Sequence, residues 1–331
     1  MEDNIFQLLV DNFKTHSVIP THNWGKGIQK PYQFIPSLIT RHKCGSYTEN
    51  DYSKKYQIDK IHHHRGNKVS YLYNFEIVGR HESIMVFDAE CLKILADVLK
   101  QFGLSFRIKI NHRKLLEGFN GTMPVINETY APNKLRVLES MDDYSQNSYI
   151  VEAIGELEIL FQYLQIYDVI NYVDLDWNLK PDLECCTGIV FEVISQNMDQ
   201  LKIIGGRCNN IIGFYGRQIT STKVFNDLDN IHPITNKLPT IIFIATNCSI
   251  IYAMEIATLL WNRNIPTDIT TNVNKKLRKQ LNYVRHNKIP YVIIYKRNCI
   301  VLKNMEKNNR LVIRRDYIVE DVMRYLHCCL F

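Results

Sequence analysis

The chain has 331 residues, of which 46% are hydrophobic, 22% charged and 11% aromatic, with 14 Gly, 10 Pro and a formal net charge of +6. That is the composition of a globular protein with enough apolar mass for a sizeable core. It excludes disordered, collagen-like and low-complexity classes, and the length fits two domains. No apolar run approaches the roughly 18 residues of a membrane span, and the opening MEDNIFQLLVDNFKTHS has acids where a signal peptide needs positive charge, so a cytoplasmic protein without a membrane partner is expected.

In chain order, residues 4–14 have the spacing of an amphipathic helix, and Trp24 to Asp51 reads as loop. Tyr71, Tyr73, Phe75 and Ile77 alternate with Leu72, Asn74 and Glu76 as in a strand. Apolar residues from Cys91 to Phe102 recur at helical spacing, with Asp88 placed to cap the start, and Leu104, Phe106, Ile108 and Ile110 then mark a half-buried strand. The polar, Asn-rich stretch 119–147 predicts a loop or small insertion. A helix near 149–164 and strands around 169–175 and 187–194 follow. Hairpin-joined strands broken by helices predict an α+β antiparallel sheet, and neither a Walker loop nor a GxGxxG is present.

Beyond the linker-like segment 226–239 the pattern changes. A buried strand at 240–245, a helix at 249–261, a strand at 267–270, a basic helix at 275–286 and a strand at 291–295 predict a small α/β unit with a mixed or parallel sheet. The expected domains are 1–235 and 239–331. From Pro239 to Phe331 there are 15 Lys+Arg against 6 Asp+Glu, whereas the preceding residues hold 25 against 28. A basic third on a slightly acidic body suits contact with a polyanion, or else is a solvated lysine-rich surface.

Within the basic helix, Lys275, Arg278 and Lys279 are expected on one face with Lys276, Arg285 and Lys288 nearby, and Leu277, Leu281 and Val284 on the buried stripe. Lys296-Arg297 and Arg314-Arg315 are placed to extend the patch. Tyr283, Tyr291 and Tyr295 either stack on unpaired bases or pack in the core. The nine cysteines include the adjacent pairs Cys185-Cys186 and Cys328-Cys329 and no CxxC, which predicts reduced thiols and no structural zinc. His62, His63 and His64 on a strand point to alternate faces, so no metal site is expected there.

Several segments together resemble the histidyl-tRNA synthetase family, in particular its eukaryotic cytosolic members. DAECLKILADVLKQFGLSFRIKINHRKLLEGF (88–119) is similar to the equivalent stretch of those enzymes. KKYQIDKI (54–61) and YNFEIVG (73–79) resemble the strands of the second class II motif. CTGIVFE (186–192) resembles the end of the signature RGLDYYTGxxYE, IIGGRCNNIIGFYG (203–216) resembles AAGGRYDxLVxxF, and 274–295 resembles the class IIa anticodon-binding domain. The resemblance implies a class II antiparallel sheet flanked by helices, a reduced insertion region at 119–147, an anticodon-binding-like domain, and dimerisation through the 4–14 helix.

The departures from the family pattern fall on its chemistry. Adenylate formation needs cations on the ATP phosphates and fixed polar groups on the amino acid. The resemblance places His63 at the second-motif Arg, Arg65 at its acidic partner, Leu72 at a histidine-contacting Gln, Tyr32 at an acidic loop residue and Pro181 at the family-specific Arg. Cys185-Cys186 replaces a tyrosine pair and Cys208 replaces a histidine-contacting tyrosine, while TSTKVFNDLDNI (220–231) holds neither Gly nor Arg where the third motif needs both. Lys180 or Arg65 is the remaining candidate for a lost cation, though lysine lacks the bidentate fork. Glu184, Thr187, Gly188, Gly205, Gly206 and Arg207 match family positions. The two glycines suit a close-packed turn, and Arg207 suits either an ion pair or a ligand contact.

The sequence therefore predicts a synthetase-like homodimer that has lost aminoacylation and binds tRNA or a tRNA-like RNA, on a scaffold also used by the regulatory subunit of ATP phosphoribosyltransferase. Two alternatives stand beside it. One is a divergent histidine–tRNA ligase, which alone requires ATP and Mg. The other is a protein-binding accessory subunit.

Overall fold

The computed structural model describes residues 15–17, 19–20, 52–62, 69–79, 83–121, 123–180, 186–195, 203–208, 227–228, 241–297 and 299–330. The 4–14 helix, Tyr32, His63, His64, Arg65, Pro181, Glu184, Cys185 and the 229–240 part of the linker lie outside them.

Strands β2 (Tyr52–His62) and β3 (Val69–Gly79) form a long antiparallel hairpin in unbroken register, from Tyr52 opposite Gly79 to His62 opposite Val69. The alternation in 71–77 is realised, with Phe75 and Ile77 buried. β1 (Ile19–Pro20) adds to β2 in parallel and β8 (Asp227–Leu228) to β3. A second sheet has the order β5-β4-β6-β7, with β4 (Phe106–His112), β5 (Val173–Leu175), β6 (Ile189–Ser195) and β7 (Ile203–Gly206). β5 is parallel to β4; β6 and β7 are antiparallel to their neighbours.

Helix α1 (Val86–Gln101) is buried on nearly every side. Its start differs from the expected cap. Met85, in a left-handed conformation at φ 64°, precedes the helix, and Asp88 lies in the first turn with its carboxylate turned inward. The side chain is drawn to a buried arginine, described below, in preference to the helix's free N–H groups. Helix α2 (Arg113–Gly118) leads into the segment expected as a loop or small insertion, which folds into α3 (Ala131–Glu139) and the single turn α4 (Asp142–Ser145). Ala131, Leu135 and Leu138 supply a narrow buried stripe, with Pro132 in the first turn, and the polar residues around them mask that period. Asn147 caps α5 (Ser148–Ile166), accepting from the backbone N–H groups of Tyr149 and Ile150.

The C-terminal unit matches its expected order. β9 (Ile242–Thr246), α6 (Ile250–Trp261), β10 (Thr267–Ile269), α7 (Leu277–His286), β11 (Tyr291–Lys296), β12 (Cys299–Asn304), β13 (Arg310–Ile313) and α8 (Ile318–Leu330) build a mixed sheet in the order β10-β9-β11-β12-β13. β9, β10 and β11 are parallel and the last two strands antiparallel. The basic helix begins later than expected, at Leu277. Lys276 is extended at ψ 135°, and Asn272 accepts from the N–H groups of Asn274 and Lys275, which holds those residues in a turn. Lys275 is therefore not on the helix face of Arg278 and Lys279.

One apolar core runs without interruption from α1, α5 and β4 into α6 and the second unit's sheet. Trp261 of α6 sits at this junction, its ring centroid 4.3 Å from His16 and 5.6 Å from Tyr167, and its indole N–H donates to the Thr267 carbonyl. His16 is fully buried and bonded to Asp97 at 3.0 Å. Burial pushes its imidazole below the ordinary 6.5, against the pull of Asp97. In the window below 6.5 the unfolded chain then binds more protons than the folded one. His16 thus favours folding fully above that value and less as pH falls. The urea midpoint is expected to drop on acidification from about pH 7 to about pH 5, and His16→Gln to flatten part of that drop. Parallel pH profiles for the two proteins would count against a buried neutral His16.

Candidate functional site

The positions matched to the second histidine signature and to the GGRYD segment meet where β6 and β7 end. The N–H groups of Thr187 and Gly188 both point at the Arg207 carbonyl (2.8 and 3.3 Å), and the Arg207 N–H returns a bond to the Ile189 carbonyl at 2.9 Å. Two residues on one strand oppose one on the other, which is a β-bulge. It brings Thr187, Gly188, Gly205, Gly206, Arg207 and Cys208 together, with Cys186 beside them.

Two of these glycines are required by close approach. A Cβ on Gly188 would lie 2.4 Å from the Arg207 Nε, and a Cβ on Gly206 would lie 2.7 Å from the Ile189 carbonyl oxygen and 2.6 Å from the Cys186 Sγ. Gly206→Ala meets backbone as well as sulfur and is expected to cost about 1–3 kcal/mol in denaturant unfolding, as overpacking does. A change under about 0.5 kcal/mol would mean that the strands part more easily than this packing implies.

Arg207 is buried, and its guanidinium is held by two carboxylates. Nη2 donates to Glu156 Oε2 at 2.6 Å, Nε lies 3.3 Å from Asp88 Oδ1, and Nη2 also touches the Met85 sulfur at 2.8 Å. Burial opposes its charge, but Asp88 and Glu156 overcome that and hold it above its ordinary pKa. Burial likewise pushes the Glu156 carboxyl up. The His112 hydrogen bond and the charges of Arg207 and Lys114 outweigh burial and hold it well below the usual carboxylate range. His112 Nδ1 accepts from the Lys114 N–H at the start of α2, so Nε2 carries the proton that faces Glu156 at 3.4 Å. This network orders four elements. Of these residues only Arg207 is expected from the sequence to form an ion pair, although Glu156 carries a signal: it is an acid set among Ala153, Leu157 and Leu160 on the apolar stripe of α5.

Cys186 and Cys208 are both buried and their sulfurs lie 3.5 Å apart, packed with Val190. Lys180 is exposed, one residue beyond Leu179, whose carbonyl accepts from Asn111. Leu72 lies in β3 opposite Asp59 of β2.

The second candidate surface is on the C-terminal unit. Lys276, Arg278, Lys279, Arg285 and Lys288 are exposed and Lys275 half-buried. None of the five exposed cations has an ion-pair partner among the described residues. Strand register extends this surface. Val292 and Ile294 pack toward α7 with Val284, and Lys296 follows them at the same two-residue spacing. Lys303 lies opposite Val292 and Arg310 opposite Lys303, so these two basic residues share the α7 face. Arg314-Arg315 does not extend it. Arg315 covers the Tyr252 ring at 4.9 Å and pairs with Glu255 of α6, on the opposite face of the sheet. The tyrosines are packing residues: Tyr283 lies against Phe243, Tyr291 against Tyr325, and Tyr295 stacks on Tyr252.

No group of three or more metal-ligating side chains occurs among the described residues, and no described helix is long and apolar enough to cross a membrane.

Compared with known proteins, the chain matches no family model. It is 25% identical over 342 residues to the cytoplasmic histidine–tRNA ligase of Dictyostelium discoideum, covering 79% of this chain and 70% of that protein. It is 24% identical over 333 residues to the mitochondrial histidine–tRNA ligase of Bos taurus, covering 77% of this chain and 65% of that protein. Among solved structures, histidyl-tRNA synthetase from Nostoc sp. PCC 7120 superposes with a TM-score of 0.52 at 15% identity, over 98% of this chain and 95% of that one. An ATP phosphoribosyltransferase regulatory subunit/histidyl-tRNA synthetase from Bacillus halodurans superposes with a TM-score of 0.50 at 14% identity, over 84% and 91%. The chain thus has the fold of a class II histidyl-tRNA synthetase and is similar in sequence to histidine–tRNA ligases along most of its length.

Proposed function

We propose that the chain is a synthetase-like protein that no longer aminoacylates and acts in the cytoplasm as a tRNA- or RNA-binding regulatory protein, as a homodimer of chains divided into a degenerate catalytic-core domain (1–235) and an anticodon-binding-like domain (239–331). The observation that carries this reading is the Cys186–Cys208 contact. At the positions the resemblance gives to tyrosines, two thiols face each other and supply no phenol hydroxyl for an amino acid. The network around Arg207 agrees with it, because Asp88 and Glu156 already engage that guanidinium.

Histidine-dependent exchange of pyrophosphate into ATP, in the presence of Mg, tests the loss of chemistry. No exchange is expected from folded protein in parallel with an active synthetase. Clear exchange would restore the ligase, with ATP and Mg as its cofactors.

RNA binding has its own test. The row of exposed Arg278, Lys279 and Arg310 with half-buried Lys303 suits a phosphate backbone, and neutralising each phosphate releases counterions, so affinity should fall steeply with salt. Reversing Arg278 and Lys279 to Glu is expected to abolish tRNA binding, whereas a single Lys303→Gln lowers the log–log salt slope by about one. Unchanged affinity after the reversals would remove this surface from the reading and favour an acidic protein partner.

A further inference from the structure

We propose that Cys186 and Cys208 form a reversible disulfide, making the end of the β6–β7 pair a redox-modification site. The inference does not depend on the function proposed above.

The sulfurs lie 3.5 Å apart, and the backbones on either side are already tied by the hydrogen bond from the Thr187 N–H to the Arg207 carbonyl. Reaching the ~2.0 Å bond requires the sulfurs to close by about 1.5 Å, within the reach of side-chain rotation when the backbones are paired. Gly206 makes the room: any side chain there would place its Cβ 2.6 Å from the Cys186 sulfur. The site is thus shaped around that sulfur, with Val190 packed beside the two thiols.

With hydrogen peroxide as oxidant the step balances. One thiol sulfur attacks the peroxide O–O bond, becoming a sulfenic acid and releasing water. The second thiol sulfur then attacks the sulfenic sulfur and expels a second water. Each thiol gives up its hydrogen, and the two electrons lost by the sulfurs are those gained by the peroxide. The bond closes the chain between residues 186 and 208 and pins both sides of the bulge that carries Arg207.

The experiment treats the folded, reduced full-length protein with hydrogen peroxide, quenches with iodoacetamide under denaturing conditions and maps the peptides. The expected result is a dithiothreitol-sensitive 186–208 cross-link, with a thermal midpoint a few degrees higher than that of the reduced protein. Cys208→Ala should show neither the link nor the shift. The mapping in the unaltered chain stands even if that variant fails to fold. If Cys186 and Cys208 are both alkylated after treatment that oxidises the exposed Cys248, or if Cys186 links only to Cys185, the proposal is wrong.

Discussion

Replacing Lys54 by methionine is expected to destabilise the fold by about 3–5 kcal/mol, the cost of leaving buried charges without their counter-ion. Lys54, on β2, is buried and bonds both Glu90 of α1 and Asp268 of β10, the latter at 2.7 Å. One ammonium thus joins the hairpin and a core helix to the edge strand of the C-terminal unit. Burial disfavours its charge, and the two carboxylates more than reverse that, so its pKa stands above the ordinary lysine value. Burial also raises Glu90, even with Lys54 present. In Lys54→Met, Glu90 and Asp268 face each other unneutralised, and a proton bound between them relieves the repulsion. The deficit should therefore be largest near neutral pH and shrink as pH falls, since a carboxyl whose folded pKa is raised takes up its proton before the unfolded chain does. The triple variant Lys54→Met/Glu90→Gln/Asp268→Asn should recover much of the loss. Urea unfolding at about pH 7 and about pH 5 reads all three expectations. A single variant within about 1 kcal/mol of the unaltered protein at both would show that water reaches the triad.

Arg207→Met is expected to cost a similar 3–5 kcal/mol, because Asp88 and Glu156 lose their shared partner inside the fold. Arg207→Lys should not rescue it. A lysine has one point of charge, whereas the guanidinium reaches Asp88 through Nε and Glu156 through Nη2. Asp88→Asn in the Arg207→Met background should regain part of the loss, since Asp88 is completely buried and both its oxygens lack a hydrogen-bond donor among the described residues. As at the Lys54 triad the deficit should shrink as pH falls, but here because the intact site loses its own stabilisation. Glu156 has a depressed pKa, so its contribution is complete above the ordinary carboxylate range and is lost as pH falls through the depressed value. Removing Arg207 should raise that pKa and bring acid unfolding to a higher pH. Because stability is read without any ligand, the measurement separates an architectural Arg207 from one reserved for a bound substrate. An Arg207→Met protein as stable as its parent would fit only the latter.

The elements with a single dominant period were legible in the sequence. β3 and β4 alternate, α6 has a Ser cap and a continuous apolar body, and the parallel strands of the C-terminal unit are short apolar runs. Where polar residues crowd a helix the period is hidden: the pattern of 119–147 specifies no more than a loop or small insertion, because only Ala131, Leu135 and Leu138 of α3 reach the core. Asp88 has the sequence position of a cap because caps depend on chain-local neighbours. Its actual partner, Arg207, is 119 residues away in sequence. The basic helix is legible in its sequence, but its reach across the sheet to Lys303 and Arg310 depends on register, as does the placing of Arg315 on the opposite face.

The sequence by itself determined the likeness to histidyl-tRNA synthetases, the α+β class and the order of the strongly periodic strands and helices, because periodicity and motif spacing are properties of the chain. The resemblance also implies that residues such as Cys186 and Cys208 differ in type from the family's at matched positions. Only the tertiary structure decided what those positions do now. Ion pairs such as Lys54–Asp268, thiol contacts such as Cys186–Cys208 and the clearance around Gly206 are distances between residues remote in sequence. Charge, burial and packing act through those distances, and no local pattern encodes them.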